Sequence, residues 1–430
     1  MANLDYKCPN CGGTLKFDAT VQKVVCEYCG AEFQAQDVKK YNDETSNTKE
    51  EKLCWEEDNR QEFTQDEAQS LNVYTCNSCG GEIIADENTA ATTCPFCGNP
   101  VILKGRLDGG LKPDYVIPFK HTKEELQQTM TKYLKKKLFL PKAFKTTNQV
   151  EEIKGVYVPF WIHDADAEGT VRYKGMKKRV YRSGDYRVTE KNYYAIVREG
   201  SIGFDHIPVD GSKAMPDKLM ESIEPFNFSE AVSFEAAYLT GFLADKYDVS
   251  KEEVFPRANT RIKEGTIDQF RTTISKSYDS ITVENTNLSL YNTKVSYALY
   301  PVWMMTTRYK NKPYTFAVNG QTNKMTGNLP CSAGKFLFWF LFWLLILGGG
   351  VFFLLFALMD MTFDIVQPII GAIPGLIVAI IFCVANKKAL KPVKFQRGAA
   401  NYYRQGSMNI TNSQDYFLYR TVSRERISSK

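Results

Sequence analysis

The sequence predicts a multidomain chain: two small ribbons (β) built on cysteine, a mixed α+β domain, and a two-helix transmembrane hairpin. Three observations carry that prediction. Eight of the eleven cysteines fall into two blocks of identical spacing, a stretch of some two hundred residues alternates strand-like with helix-like segments, and two long apolar runs near residues 336–385 are uncharged. The 430 residues are 43% hydrophobic and 24% charged, which suits two to four compact units and is too apolar for a mostly disordered chain. No apolar segment lies near the N-terminus, so no secretory signal peptide is expected.

The first cysteine block, Cys8-x2-Cys11-x14-Cys26-x2-Cys29, returns 68 residues later as Cys76-x2-Cys79-x14-Cys94-x2-Cys97. Gly12-Gly13, Asp18 and Gly30 return with it as Gly80-Gly81, Asp86 and Gly98, so an internal duplication is the simplest reading. In each block two Cys-x-x-Cys knuckles can converge their thiolates on one tetrahedral ion. The glycine after a knuckle frees the backbone to turn its N–H groups toward the sulfurs. Cys8, Cys11, Cys26 and Cys29, and Cys76, Cys79, Cys94 and Cys97, are therefore read as ligands of two structural Zn2+ ions, in zinc ribbons over 1–35 and 73–104. Four cysteines per site leave no position for water, which argues against catalytic zinc. Disulfides would need an oxidising compartment, and a redox dithiol a strand–helix context that these knuckles lack. Cys54, Cys331 and Cys383 read as ordinary buried or boundary cysteines without a role.

Residues 1–104 carry 9 Lys/Arg against 18 Asp/Glu, a net of −9, and phosphates would repel such a region. Between the ribbons, 36–72 reads as an acidic linker or one short helix with scattered aromatics such as Trp55 and Phe63, leaving the ribbons free to move. Asp66-Glu67-Ala68-Gln69 is no helicase box, since it follows polar residues rather than an apolar strand.

Residues 113–330 read as the α+β cytoplasmic domain. His121 to Leu140 gives an amphipathic helix that starts at Thr122 and stops before Pro141, with Lys135, Lys136 and Lys137 on a solvated face. Strands are expected at Tyr157-Val-Pro-Phe-Trp161, through Thr170–Tyr173 and at Tyr193–Val197, and again from Tyr300-Pro-Val-Trp303 to Tyr314–Val318. Asn319-Gly320 signals a tight hairpin. Helix-like segments lie near 213–222, 229–246 and 250–270. His163-Asp164-x-Asp166 could be drawn as a metal site, but a polar turn between strands is the plainer reading. No Ser/His/Asp set can be assembled, and Ser332-Ala333-Gly334-Lys335 lacks the upstream glycine of a phosphate loop.

Phe336–Met359 and Ile365–Ala385 are 24 and 21 uncharged residues, about 36 and 31 Å as helices, each enough to cross a bilayer. The residues between them are few, so transmembrane helices 336–359 and 365–385 form a hairpin. Lys335 precedes the pair, Lys387, Lys388, Lys391 and Lys394 follow it, and the connecting loop holds only acids. The positive-inside rule then places both soluble parts and both termini in the cytoplasm, with the hairpin in the cell membrane. The basic segment 386–430 carries 10 Lys/Arg against 2 Asp/Glu and would meet anionic lipid through that lysine cluster. Neither helix has an ionisable residue in its interior, which favours an anchor over a channel.

The tandem cysteine blocks, Tyr157-Val-Pro-Phe-Trp161, the stretch from Glu235 to Tyr247 and the Val318–Gly327 hairpin together resemble a group of membrane-anchored zinc-ribbon proteins of Gram-positive bacteria. Its members are often labelled primosomal replication-restart helicase, a label the cysteine knuckles alone explain, since this chain has no ATPase motifs. The resemblance covers roughly residues 1–425. It implies a membrane anchor that recruits SPFH-domain (flotillin-like) or phage-shock partners under envelope stress, with the ribbons as docking surface. This chain departs from the usual form in having two complete ribbons.

The reading is thus a non-enzymatic, membrane-anchored zinc-ribbon scaffold that recruits a protein partner at the cytoplasmic face. Two alternatives stand beside it. One is a membrane-tethered nucleic-acid binder, against which the −9 charge speaks, and the other is an enzyme seated in 113–330 with His163 or Asp164 in its chemistry.

Overall fold

The computed structural model describes residues 6–9, 13–39, 52–56, 61–86, 93–107, 110–145, 153–309, 312–358, 366–391 and 398–427. Strands β1 (Leu15–Asp18), β2 (Lys23–Cys26) and β3 (Glu32–Phe33) form a small antiparallel sheet around the first cysteine block. Helix α1 (Gln65–Gln69) starts from a capping box in which Thr64 and Glu67 satisfy each other's amides. It leads into β4 (Leu71–Thr75), which β5 (Glu82–Asp86) and β6 (Ile102–Arg106) flank around the second block.

After β7 (Tyr115–Val116) and α2 (Lys123–Lys135) come the two long strands β8 (Lys154–Ser183) and β9 (Tyr186–Asp210). Then follow α3 (Asp217–Ile223), β10 (Val232–Ser233), β11 (Leu243–Asp245), α4 (Lys251–Arg271), β12 (Ser280–Tyr309), β13 (Lys312–Asn319) and β14 (Met325–Gly327). The chain closes with α5 (Ala333–Leu358), α6 (Val366–Lys388) and β15 (Asn409–Arg426).

One mixed, 12-stranded sheet joins most of these among the described residues. β12 runs antiparallel to β8 from Met304/Lys154 to Ser280/Met176. On its other side β8 pairs with β11 near Val156, then with β9 from Phe160 to Ser183, and β15 lies beyond β9. Both faces of β8 are buried from Val156 to His163, so its apolar residues there need not alternate with polar ones. Val156, Val158, Phe160 and Ile162 pack with α3, whereas Tyr157 and Trp161 pack with Val254 and Ala258 of α4.

The chain is thus multidomain in the sense expected, with a large mixed sheet, small cysteine-rich units and two apolar C-terminal helices. Several local expectations are corrected. The second cysteine unit does not stand apart: β5 pairs with β11, so β4, β5 and β6 extend the large sheet. Residues 229–246 hold 3-10 turns at Phe228–Glu230 and Ala236–Leu239 followed by β11 rather than a helix. Gly241 takes a positive φ of 80°, and Leu243–Asp245 fills the slot between β8 and β5, so tertiary pairing overrides helix propensity. The Asn319-Gly320 pair does not make a two-residue hairpin. Asn319 Oδ1 accepts from the Gln321 and Thr322 amides, and the left-handed residue is Asn323, so the turn is longer than the dipeptide suggests.

The described part of 36–72 is docked rather than loose. Trp55 stacks on Phe255 at 5.6 Å and donates to Asn259 Oδ1 at 2.8 Å, and Phe63 meets Phe234 edge-on at 5.9 Å. Helices α5 and α6 are long and apolar enough to cross a membrane, and side chains such as Leu345, Phe353 and Ile381 point out of the fold. They close on each other through glycine: a Cβ on Gly375 would lie 2.7 Å from the Gly348 nitrogen. The loop over 360–364, and Lys394, lie outside the described residues.

Candidate metal centres

Each cysteine unit is made by short turns whose hydrogen bonds aim the thiols inward. In the second unit Cys76 N donates to Gly81 O at 3.0 Å and Gly80 N to Cys76 O at 2.8 Å; Cys94 N donates to Asn99 O at 2.7 Å and Gly98 N to Cys94 O at 3.0 Å. Gly80 and Gly98 take φ of 75° and 73°, a region costly for any residue with a Cβ, which is why glycine follows each knuckle. The four sulfurs lie within 4.8 Å of one another, with Cys76–Cys97 and Cys79–Cys94 both at 3.6 Å. An ion bound tetrahedrally at thiolate distance would hold its sulfurs about 3.8 Å apart, so the donor set fits one. Asn99 Nδ2 reaches Cys97 Sγ at 3.4 Å, an outer hydrogen bond of the kind that orients a ligand.

The thiols differ in ease of ionisation. Burial pushes Cys79 up to about 11, and pushes Cys94 up further. At Cys76 burial acts the same way, but the amides of Cys79 and Ser78 and the neighbouring thiols outweigh it and bring the group down to about 7.

The first unit repeats the design. Cys8 N donates to Gly13 O at 2.8 Å, Cys26 N to Ala31 O at 2.9 Å and Gly30 N to Cys26 O at 2.9 Å, with Gly30 at φ 68°. Cys8, Cys26 and Cys29 converge, and Cys8 and Cys29 stand 3.7 Å apart. The fourth expected ligand, Cys11, lies outside the described residues.

The two centres are seated differently. Cys76, Cys94 and Phe96 belong to the same core as Val156, Phe160 and Tyr300. Thr306 Oγ1 on β12 donates to the carbonyls of Pro95 and Phe96 at 3.0 and 3.1 Å, and Lys154 Nζ to that of Thr93 at 2.6 Å. Cys8, Cys26 and Phe33 instead pack against Ala195, Val197 and Leu418 on β9 and β15. That unit leaves Phe17, Val21 and Tyr28 at 54%, 44% and 77% exposure.

His163, Asp164 and Asp166 are not brought together as a metal site. His163 is buried edge-on to Trp55 at 4.8 Å; Asp164 accepts from the amide of His206, a left-handed residue at a bulge, at 2.6 Å; Asp166 pairs with Arg404 at 2.8 Å. Cys54 is exposed, Cys331 half-buried and Cys383 buried, and none joins a ligand cluster among the described residues.

Sequence reasoning missed a buried ionic network beneath α4. Arg257 serves Asp210, Asp217 and Glu221 at 2.8, 3.2 and 3.3 Å, while Arg261 pairs with Glu224. One guanidinium among three carboxylates leaves excess negative charge. Burial pushes Asp210 up to about 7 and raises Glu221, against the pull of the arginines. The signal was Arg257 and Arg261, one helical turn apart on α4, together with Glu221 of α3 and Glu224 just past its end.

The uncharacterized protein YdjG of Bacillus subtilis (strain 168) is 36% identical to this chain over 337 residues, spanning 78% of the chain and 93% of that protein. No family model matches the chain, and no solved structure does.

Proposed function

Because the chain belongs to the family of Bacillus subtilis YdjG, itself uncharacterized, we propose its function from its own centres: a non-enzymatic, membrane-anchored scaffold with two structural zinc ions that recruits a protein partner. The observation that carries this reading is the closed set Cys76, Cys79, Cys94 and Cys97. All four thiols turn to one point, so an ion there has no vacant position for a substrate or water, and its work is to hold the backbone. All-sulfur tetrahedral coordination suits zinc, reduced thiols suit a cytoplasmic face, and the lysines flanking α5 and α6 support the same side for the soluble parts.

The docking surface of this scaffold is the first unit. The second is built into the large sheet, whereas the first carries Phe17, Val21 and Tyr28 into solvent beside its ion site. The resemblance to anchors of SPFH-domain and phage-shock proteins names the partners to test first. The experiment is nuclease-treated affinity capture of the full chain from solubilised membranes, comparing wild type with Phe17→Ser/Tyr28→Ser and measuring metal content of both. Loss of an SPFH or phage-shock protein from the variant, with both ions retained, supports the scaffold. Identical captures overturn this docking surface.

A further inference from the structure

We propose that the C-terminal half of α2, with the segment that follows it to Lys142, is a membrane-surface foot that binds anionic lipid headgroups. The inference rests on reading α5 and α6 as membrane spans.

The foot is tied to the base of the apolar hairpin from several directions. Phe139 sits between Phe336 of α5 and Phe382 of α6, with ring centroids at 5.7 and 6.3 Å. Ser332 N donates to Phe139 O at 2.8 Å and Lys335 Nζ to Leu140 O at 2.6 Å, while Lys137 Nζ reaches Ala389 O at 2.9 Å. Phe382 precedes Lys388, the end of α6, by six residues, or about 9 Å along the helix. The Phe139 ring therefore lies at the edge of the apolar zone rather than out in water, and Leu138 beside it is 40% exposed.

Charge completes the match. Residues 126–145 contain six lysines, 328–358 one and 366–391 three, and none of these segments contains Asp or Glu. Lys132, Lys136 and Lys142 of the foot are exposed, as are Lys387, Lys388 and Lys391 at the end of α6. The sequence alone presents Lys135–Lys137 as the solvated face of a helix, but the fold joins them to the lysines that leave the membrane. One cationic rim at headgroup depth, unopposed by acid on those segments, is complementary to a surface of anionic lipid.

The test is amide exchange, followed by mass spectrometry, of the full chain in nanodiscs of phosphatidylcholine alone and of phosphatidylcholine with about one third phosphatidylglycerol. Peptides within 132–142 are expected to exchange at least about five-fold more slowly in the anionic discs, and to lose that protection at about 0.5 M salt. Lys132→Gln/Lys136→Gln/Lys142→Gln should abolish the difference while the chain stays in the discs. The salt arm on wild type decides should the variant misfold. Equal exchange in both discs at low salt overturns the foot and leaves the anchor standing. Failure of the wild type to stay in either disc overturns the anchor, and the foot with it.

Discussion

The Arg261 guanidinium grips the Glu224 carboxylate through two hydrogen bonds, of 2.9 and 2.5 Å, with both side chains almost wholly out of water. Tyr402 adds its hydroxyl to the same carboxylate at 2.8 Å, and Ala399 N donates to the Arg261 carbonyl at 2.9 Å. The chain leaving α6 is thereby strapped across α4 before it enters β15. Burial holds the Tyr402 phenol neutral and so keeps it a donor. Removing one partner of a buried pair strands the other charge, so Glu224→Gln should cost about 3–5 kcal/mol, against about 1 kcal/mol for Tyr402→Phe. Thermal unfolding of the full chain in detergent checks this, and Arg261→Met/Glu224→Leu should recover much of the loss.

The two metal centres should respond differently to removal. Cys94 belongs to the central core with Val156 and Phe160, so Cys94→Ser should lower metal content by one ion per chain and also abolish the main cooperative transition. Cys26→Ser should remove one ion while leaving that transition nearly in place, because its unit packs on the outer strands β9 and β15, against Ala195, Val197, Tyr416, Leu418 and Tyr419, rather than in the central core. Elemental analysis with parallel melts decides. Equal melts for the two variants would show the second centre to be dispensable to the sheet.

Asp210 makes stability depend on pH in an uncommon direction. Its carboxyl is buried and pushed to about 7, whereas in the unfolded chain it titrates near 3.8. Between those values the folded state keeps a proton that the unfolded state has released, so stability falls as pH rises, at up to about 1.4 kcal/mol per pH unit. The difference in melting temperature between wild type and Asp210→Asn should therefore widen from pH 5.5 to 7.5, with the variant gaining. A difference that is constant with pH would show that Asp210 is ionised throughout.

What the sequence made legible follows the range of the signal. The cysteine blocks and apolar runs are local, and Cys76, Cys79, Cys94 and Cys97 do converge as their spacing requires. The helix-like segment near 250–270 is local too, and α4 spans Lys251–Arg271. Partners far apart in the chain were not legible. Nothing near Leu243 announces a strand between β8 and β5, and nothing near Tyr402 announces Glu224, 178 residues away. The segment after Tyr133 shows the same limit: Lys137 reaches the carbonyl of Ala389 and Phe139 the ring of Phe336, partners distant in sequence that a helix-face reading does not reveal.

The hairpin of α5 and α6 offers its own internal control. A Cβ on Gly375 would lie 2.7 Å from Gly348 N and 2.9 Å from Leu344 O, both backbone atoms that cannot swing away, whereas one on Gly350 would meet nothing within 4 Å. Close approach of two backbones is what small residues supply between membrane helices, where apolar burial gives no advantage over lipid. Gly375→Leu should therefore cost about 1–3 kcal/mol by overpacking, and Gly350→Leu close to nothing. Unfolding against rising dodecyl sulfate fraction in mixed micelles measures both. If the two variants behaved alike, the helices would not cross at Gly348 and Gly375. If only Gly375→Leu fails, the crossing is fixed, and with it the spacing between Lys335 and Lys388 on which the cationic rim depends.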